Sequence, residues 1–186
     1  MADEPKLPVI IKAFPKRKEY RHAEEERFLR ALGLCVSQWA FVDRQLFRLF
    51  RLMLGAATHR AAVIYYTPKT LAQRVQFVDK LFEQNLSPDQ YKDNWKPLLK
   101  KLDTLIPVRN IFVHHPTRRL HTAREGKAVY EYAIHFEENE RLVSKMPKAL
   151  GEKGCLDVDD LKRHARAVDD LHNALDALRR KLKSLS

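Results

Sequence analysis

From Ala23 to about Leu54, apolar side chains return every three or four residues, at Phe28, Leu32, Cys35, Trp39, Val42, Leu46, Leu49, Phe50 and Met53. That spacing matches the 3.6-residue turn of an α-helix, and the stretch reads as one long helix that Gly55 stops. A helix with a single apolar stripe must bury it against other elements, so the rest of the chain has to supply matching stripes.

It does so mainly with more helices. Residues 58–65 read as a short helix. In "TPKTLAQRVQFVDKLFEQ", Thr67 is expected to cap a further helix, with Pro68 at its first position and a core stripe of Leu71, Val75, Val78 and Phe82. Ser87 and Pro88 repeat this start signal, and Tyr91, Trp95, Leu98, Leu102, Leu105 and Phe112 carry the stripe until Pro116. Pro97 interrupts that run or marks the true helix start, and Pro107 removes an internal hydrogen bond and should kink the helix.

Residues 118–136 change period. A turn signal at Glu125 and Gly126 precedes Tyr130, Tyr132, Ile134 and Phe136 in alternation, as in a β-hairpin. After a polar connection, Asp157 opens a last helix carrying Leu161, Ala165, Val168, Leu175, Leu178 and Leu182. The expected fold is mainly all-α: an antiparallel four- to five-helix bundle with a small β-hairpin before the last helix. Residues 1–22, with three prolines and a cluster of Lys and Arg, read as a basic extended arm. Residues 23–186 read as a single helical domain, with the hairpin inserted at about 118–136.

A length of 186 residues suits one core, and only 5 glycines favour helices over tight-turned sheets. Cys35 and Cys155 lie far apart without metal spacing and read as free thiols in a reducing compartment. The amino terminus begins acidic and lacks an apolar run and a small-residue cleavage site, and no stretch is apolar enough to span a bilayer. A cytoplasmic protein without membrane contact is expected. The formal charge of +11 points to a polyanionic partner, because neutralising phosphates releases condensed counterions.

The segment "VRNIFVHHP", residues 108–116, carries the chemistry. On a helix Asn110 and His114 share a face, and Arg109, about 100° away, can bend toward them. Guanidinium suits phosphate oxygens, and imidazole moves protons near neutral pH. RNA brings its own 2′-hydroxyl nucleophile, so a base or acid and one cation suffice, without a metal. On the plainer reading these are surface residues beside the core stripe of Ile111, Phe112 and Val113. His115 leaves open which imidazole is functional, with the face shared with Asn110 favouring His114.

Arg109, Asn110 and His114, together with the bundle helices "SQWAFVDRQLFRLF" and "LAQRVQFVDKLF", resemble the HEPN superfamily over roughly residues 25–116. The resemblance implies a helical homodimer that brings two Arg and His pairs into one cleft. It also implies a metal-independent ribonuclease that leaves a 2′,3′-cyclic phosphate, of the kind found in toxin-antitoxin, phage-defence and RNA-processing systems, with an antitoxin or other regulatory protein as a further partner. Arg109, His114 and Asn110 would be catalytic, with Asp43 and His115 as support. Other members of the superfamily bind RNA, nucleotide or a partner protein without catalysis.

Asp43 shares a face with Trp39, Leu46 and Phe50, so its carboxylate needs a partner. It either orients Arg109 or pairs with another nearby arginine. Arg44, Arg48 and Arg51 form a stripe that tracks an RNA backbone or merely solvates the helix. Arg118, Arg119, His121 and Arg124 follow the motif directly and would flank RNA bound at His114. Tyr130, Tyr132 and Phe136 stack bases or form one packed hairpin face. The remaining histidines show no ligand grouping, and no metal and no cofactor is expected.

Overall fold

The computed structural model describes residues 20–124, 127–136, 143–144 and 146–184. Its elements are α1 (Tyr20–Leu54), α2 (Thr58–Tyr66), α3 (Leu71–Asn85), the single turn α4 (Pro88–Gln90), a π-helical turn at Tyr91–Trp95, and α5 (Lys96–His114). There follow β1 (Thr117–Arg124), β2 (Lys127–His135), α6 (Lys148–Lys153), β3 (Cys155–Leu156) and α7 (Val158–Lys183). The fold is mainly all-α with a small antiparallel sheet.

Successive helices, the short α2 included, alternate in direction. Arg51 Nη1 meets Thr58 Oγ1 while Tyr65 Oη reaches back to Asp43 Oδ1, so α2 folds down along α1. Phe82, near the end of α3, stacks on Trp95 at 4.4 Å between ring centroids, just before α5 descends. In α5 Phe112 lies against His164, whereas Asn94, ahead of it, accepts from Lys181, so α7 runs upward again. An odd number of such passes leaves the first and last helices parallel. Cys35 accordingly meets Leu161, Trp39 meets His164, and Gln45 meets Asp176.

The apolar stripes bury as their periods require. All four expected residues of α3 and all six of α7 are buried, as are Phe28, Cys35, Trp39, Val42, Leu46, Leu49 and Phe50 of α1. Gly55 ends α1 at φ +63, with its N–H donating to the Arg51 carbonyl. At that angle a side chain is strained and glycine is not.

Two expectations need correcting, and at Pro97 one of two open alternatives is realised. α1 begins at Tyr20, inside the expected arm; the rest of that arm, residues 1–19, lies outside the described residues. The cap of α3 is Thr70, not Thr67. Thr70 and Gln73 exchange side-chain and backbone hydrogen bonds in a capping box, whereas Thr67 Oγ1 donates to the Val63 carbonyl at the end of α2. The run from Pro88 to Phe112 is not one α-helix. Pro97 has no N–H to give the Asp93 carbonyl, and the ladder widens into the π-turn, which Tyr91 and Trp95 secure by both donating to Asp79 Oδ1. Pro97 thus falls in the first turn of α5, and Pro107 lies inside that helix, which continues to His114.

The hairpin forms where expected, though its turn residues, Glu125 and Gly126, lie outside the described residues. A third strand was not foreseen: β3 pairs with β2 through Ile134 with Leu156 and His135 with Cys155. Ile134 and Phe136 are buried, and Tyr132 lies 6.3 Å from Phe28 and donates to Glu25. Tyr132 therefore packs the hairpin against α1, while Ile134 and Phe136 join the common core; the Tyr130 side chain lies outside the described residues. Neither cysteine forms a disulfide. Among the described residues, no helix is long and apolar enough to cross a membrane.

Candidate functional site

Asp43 is the centre from which the site is built. It sits on α1 facing the start of α3, and its carboxylate accepts from Tyr65 Oη at 2.8 Å and from Arg74 Nη1 at 3.0 Å. Arg74 in turn lies over the rings of Tyr66 and Tyr65, at 5.1 and 5.8 Å from their centroids. Burial, and then the Asp43 charge, push the Tyr65 phenol upward, which keeps it a proton donor to the carboxylate. Of the two alternatives for Asp43, direct pairing with a nearby arginine is the one realised, and that arginine is Arg74.

Arg109 borders this cluster. It is half-buried on α5, and its Nη1 donates to Asn110 Oδ1 at 3.1 Å. Burial disfavours its charge, Asp43 favours it, and Arg74 opposes it, so its pKa is lowered overall. Asp43 therefore acts on Arg109 through the field, with Arg74 in the contact position. A guanidinium in this position is partly stripped of water and fixed at one nitrogen, and it can still offer donors to an oxyanion.

His114 is the last residue of α5 and is exposed. The five-residue step from Arg109 turns about 140° around the helix axis. The structure thus brings Arg109, Asn110, Asp43 and Arg74 together, with His114 on another side of the same helix. His115 caps α5, with its N–H on the Ile111 carbonyl and its ring part-buried, Nδ1 having no hydrogen-bond partner. Its extended backbone at φ −110 and ψ 141 turns the chain directly into β1.

Of the basic residues after the motif, the two whose side chains are described do not form one bank. In β1 the side chains of neighbours alternate between faces, so Arg118 and Arg119 point opposite ways. Arg118 is exposed; Arg119 pairs across the hairpin with Tyr132 and is less so. His121 and Arg124 lie in the same strand, but their side chains are outside the described residues.

Arg44, Arg48 and Arg51 come together with Arg179, Lys183, Phe47 and Leu52 around a concavity of about 490 Å³. The two α7 residues were missed because nothing local links them to α1; only the parallel packing of the two helices does. Arg74 was missed as well, since it reads as an ordinary exposed position between Leu71 and Val75 of the α3 stripe.

The fold and site define a helical bundle with a half-buried arginine cluster on one flank and a cationic concavity at one end. No family model, curated protein or solved structure matches this chain.

Proposed function

We propose that this chain is a metal-independent endoribonuclease of the HEPN type, acting as a homodimer. The observation that carries the reading is the electrostatic setting of Arg109: a guanidinium half-removed from water, with one donor held by Asn110 and its charge sustained by Asp43. A cation of this kind stabilises charge that builds on a phosphorane more strongly than a fully solvated one. The exposed His114 is then the general base or acid, and Asn110 positions the phosphate. The 2′-hydroxyl attacks the adjacent phosphorus, the 5′-oxygen leaves with a proton, and a 2′,3′-cyclic phosphate remains.

Because Arg109 and His114 diverge around α5, the reaction centre combines Arg109 of one copy with His114 of another. Apolar side chains left open at this level support such pairing: Val113 beside His114 is 44% exposed and Phe41 on α1 is 48% exposed. The same divergence also favours a second reading, a non-catalytic module that binds RNA through its arginines.

Incubation with mixed-sequence RNA in EDTA, reading product ends as well as lengths, separates the two. Cyclic-phosphate ends that disappear in both Arg109→Ala and His114→Ala support the ribonuclease. RNA binding that persists in His114→Ala, with no cleavage by the wild-type dimer, supports the binding module.

A further inference from the structure

The cationic concavity lies between the C-terminal parts of two parallel helices, spanning the last three turns of α1. Arg44, Arg48, Arg51, Phe47 and Leu52 come from α1, and Arg179 and Lys183 from α7. Cations at helix C-termini ordinarily answer the partial negative charge of the unpaired carbonyls. Here they exceed that need. Two helix ends contribute roughly half a negative charge each and Asp176 one more, which leaves about three of the five positive charges unanswered. Among the described residues, Arg44, Arg48, Arg51 and Lys183 have no carboxylate within ion-pair distance; the carboxylate that does reach the wall, Asp176, is taken by Arg179 and Arg180.

Part of the wall is also fixed before any ligand arrives. Asp176 Oδ1 holds Arg179 through Nε at 3.2 Å and Nη2 at 2.8 Å. Thr58 Oγ1 holds Arg51 at 2.8 Å, and the ring of Phe47 lies 5.5 and 5.6 Å from those of Tyr65 and Tyr66. A volume of about 490 Å³ lies within the range of small-molecule sites.

We infer that the pocket formed by Arg44, Arg48, Arg51, Arg179 and Lys183 binds a triphosphate group. The charge left unanswered matches the three to four negative charges of a triphosphate near neutral pH; the guanidiniums of Arg44 and Arg48 on α1 can each take a pair of phosphate oxygens, and Lys183 adds a point charge from α7. Phe47 and Leu52 form an apolar wall beside the phosphates, which gives a nucleoside attached to them a surface to lie on. Free tripolyphosphate and a nucleoside triphosphate share the recognised chemistry. The site is separate from Arg109 and His114, and it stands whether or not the chain cleaves RNA.

The test is calorimetric titration of the full chain with tripolyphosphate, ATP, orthophosphate and a 5′-hydroxyl RNA oligonucleotide. Saturable one-to-one binding of tripolyphosphate is expected, with orthophosphate at least about tenfold weaker because it engages fewer forks. Arg48→Ala and Lys183→Ala should each weaken tripolyphosphate about tenfold, the loss of one charge-assisted contact. Arg118→Ala, on β1, should leave it within about twofold, as a distant surface charge does. ATP equal to tripolyphosphate identifies the phosphates alone as the recognised group, and tighter ATP identifies a nucleotide source. Three results overturn the inference: no saturable binding, equal weakening by Arg118→Ala, or displacement of tripolyphosphate by the RNA with affinity that grows with strand length. Unchanged circular dichroism in the variants confirms that each loss is local.

Discussion

His164 shows how a single buried side chain makes stability depend on pH. Its Nε2 accepts from Trp39 Nε1 at 2.8 Å, which requires that nitrogen to be unprotonated, and burial lowers its pKa from 6.5 to about 4. Between those values the unfolded chain binds a proton that the folded chain does not. Stability is therefore complete above pH 6.5 and falls as pH drops toward 4, by about 3 kcal/mol in all for this one group. His164→Gln, which keeps an acceptor for Trp39 and removes the titration, should flatten urea-derived stability across that window; an unchanged slope would assign the effect to other groups. Asp43 makes a second case, since it and Arg74 are each less than a quarter exposed. Asp43→Ala leaves two arginines facing each other over a part-buried gap and should cost about 2 kcal/mol in denaturant unfolding, between the values for surface and buried pairs. Cys35 makes a third, because burial pushes its thiol up to about 12. In native protein at pH 8 a thiol reagent should modify Cys155 first and reach Cys35 only after denaturant is added, and equal rates would mean that α1 opens readily against α7.

At the scale of elements, what could be read from the chain was what repeats locally. The stripes of α1, α3 and α7 each rest on residues three or four apart, and the packed structure buries them as a 3.6-residue period demands. Capping signals within three residues were legible at Ser87 and Asp157, both of which form capping boxes. At α3 the expected cap, Thr67, gives way to Thr70, which was not singled out. Thr70 prevailed because Gln73 stands three residues on, whereas Thr67 has no such partner at Thr70. The π-turn was unreadable, since Pro97 allows an interrupted helix, a fresh start or a widened ladder, and Asp79 on another helix decides among them. β3 is two residues long and acquires its identity only from the edge of β2. Gly55 was legible and carries a sharp prediction. Open space surrounds the place a Cβ would occupy, so Gly55→Ala meets no clash and loses only the left-handed conformation. A destabilisation of about 1 kcal/mol should appear in thermal or urea melts, and a neutral result would place the chain end of α1 under no constraint.

For the whole molecule, the candidate site was half visible in advance. Arg109, Asn110 and His114 stand in one short segment, and the five-residue step alone sets Arg109 and His114 about 140° apart; what the spacing could not show is that Asp43 and Arg74 occupy the side of the helix that Arg109 faces. Contacts between helices decide that, and local spacing does not record them. The division bears directly on the proposed dimer. In a two-fold pair each centre can draw Arg109 from one copy and His114 from the other. A mixture of Arg109→Ala and His114→Ala chains then contains hybrids in which one centre has lost both groups and the other has kept both. With random pairing half the dimers are hybrids, each with one working centre of two, so mixing two inactive proteins should restore about a quarter of wild-type cleavage. A centre assembled within one chain predicts no recovery, because neither chain holds both groups. A centre needing both pairs at once also predicts none, and the wild-type chain titrated against the double substitution Arg109→Ala with His114→Ala separates these cases. Activity falling in proportion to the wild-type fraction indicates a centre within one chain. Activity falling as the square of that fraction indicates that each centre, whether it draws on one pair or two, depends on both copies.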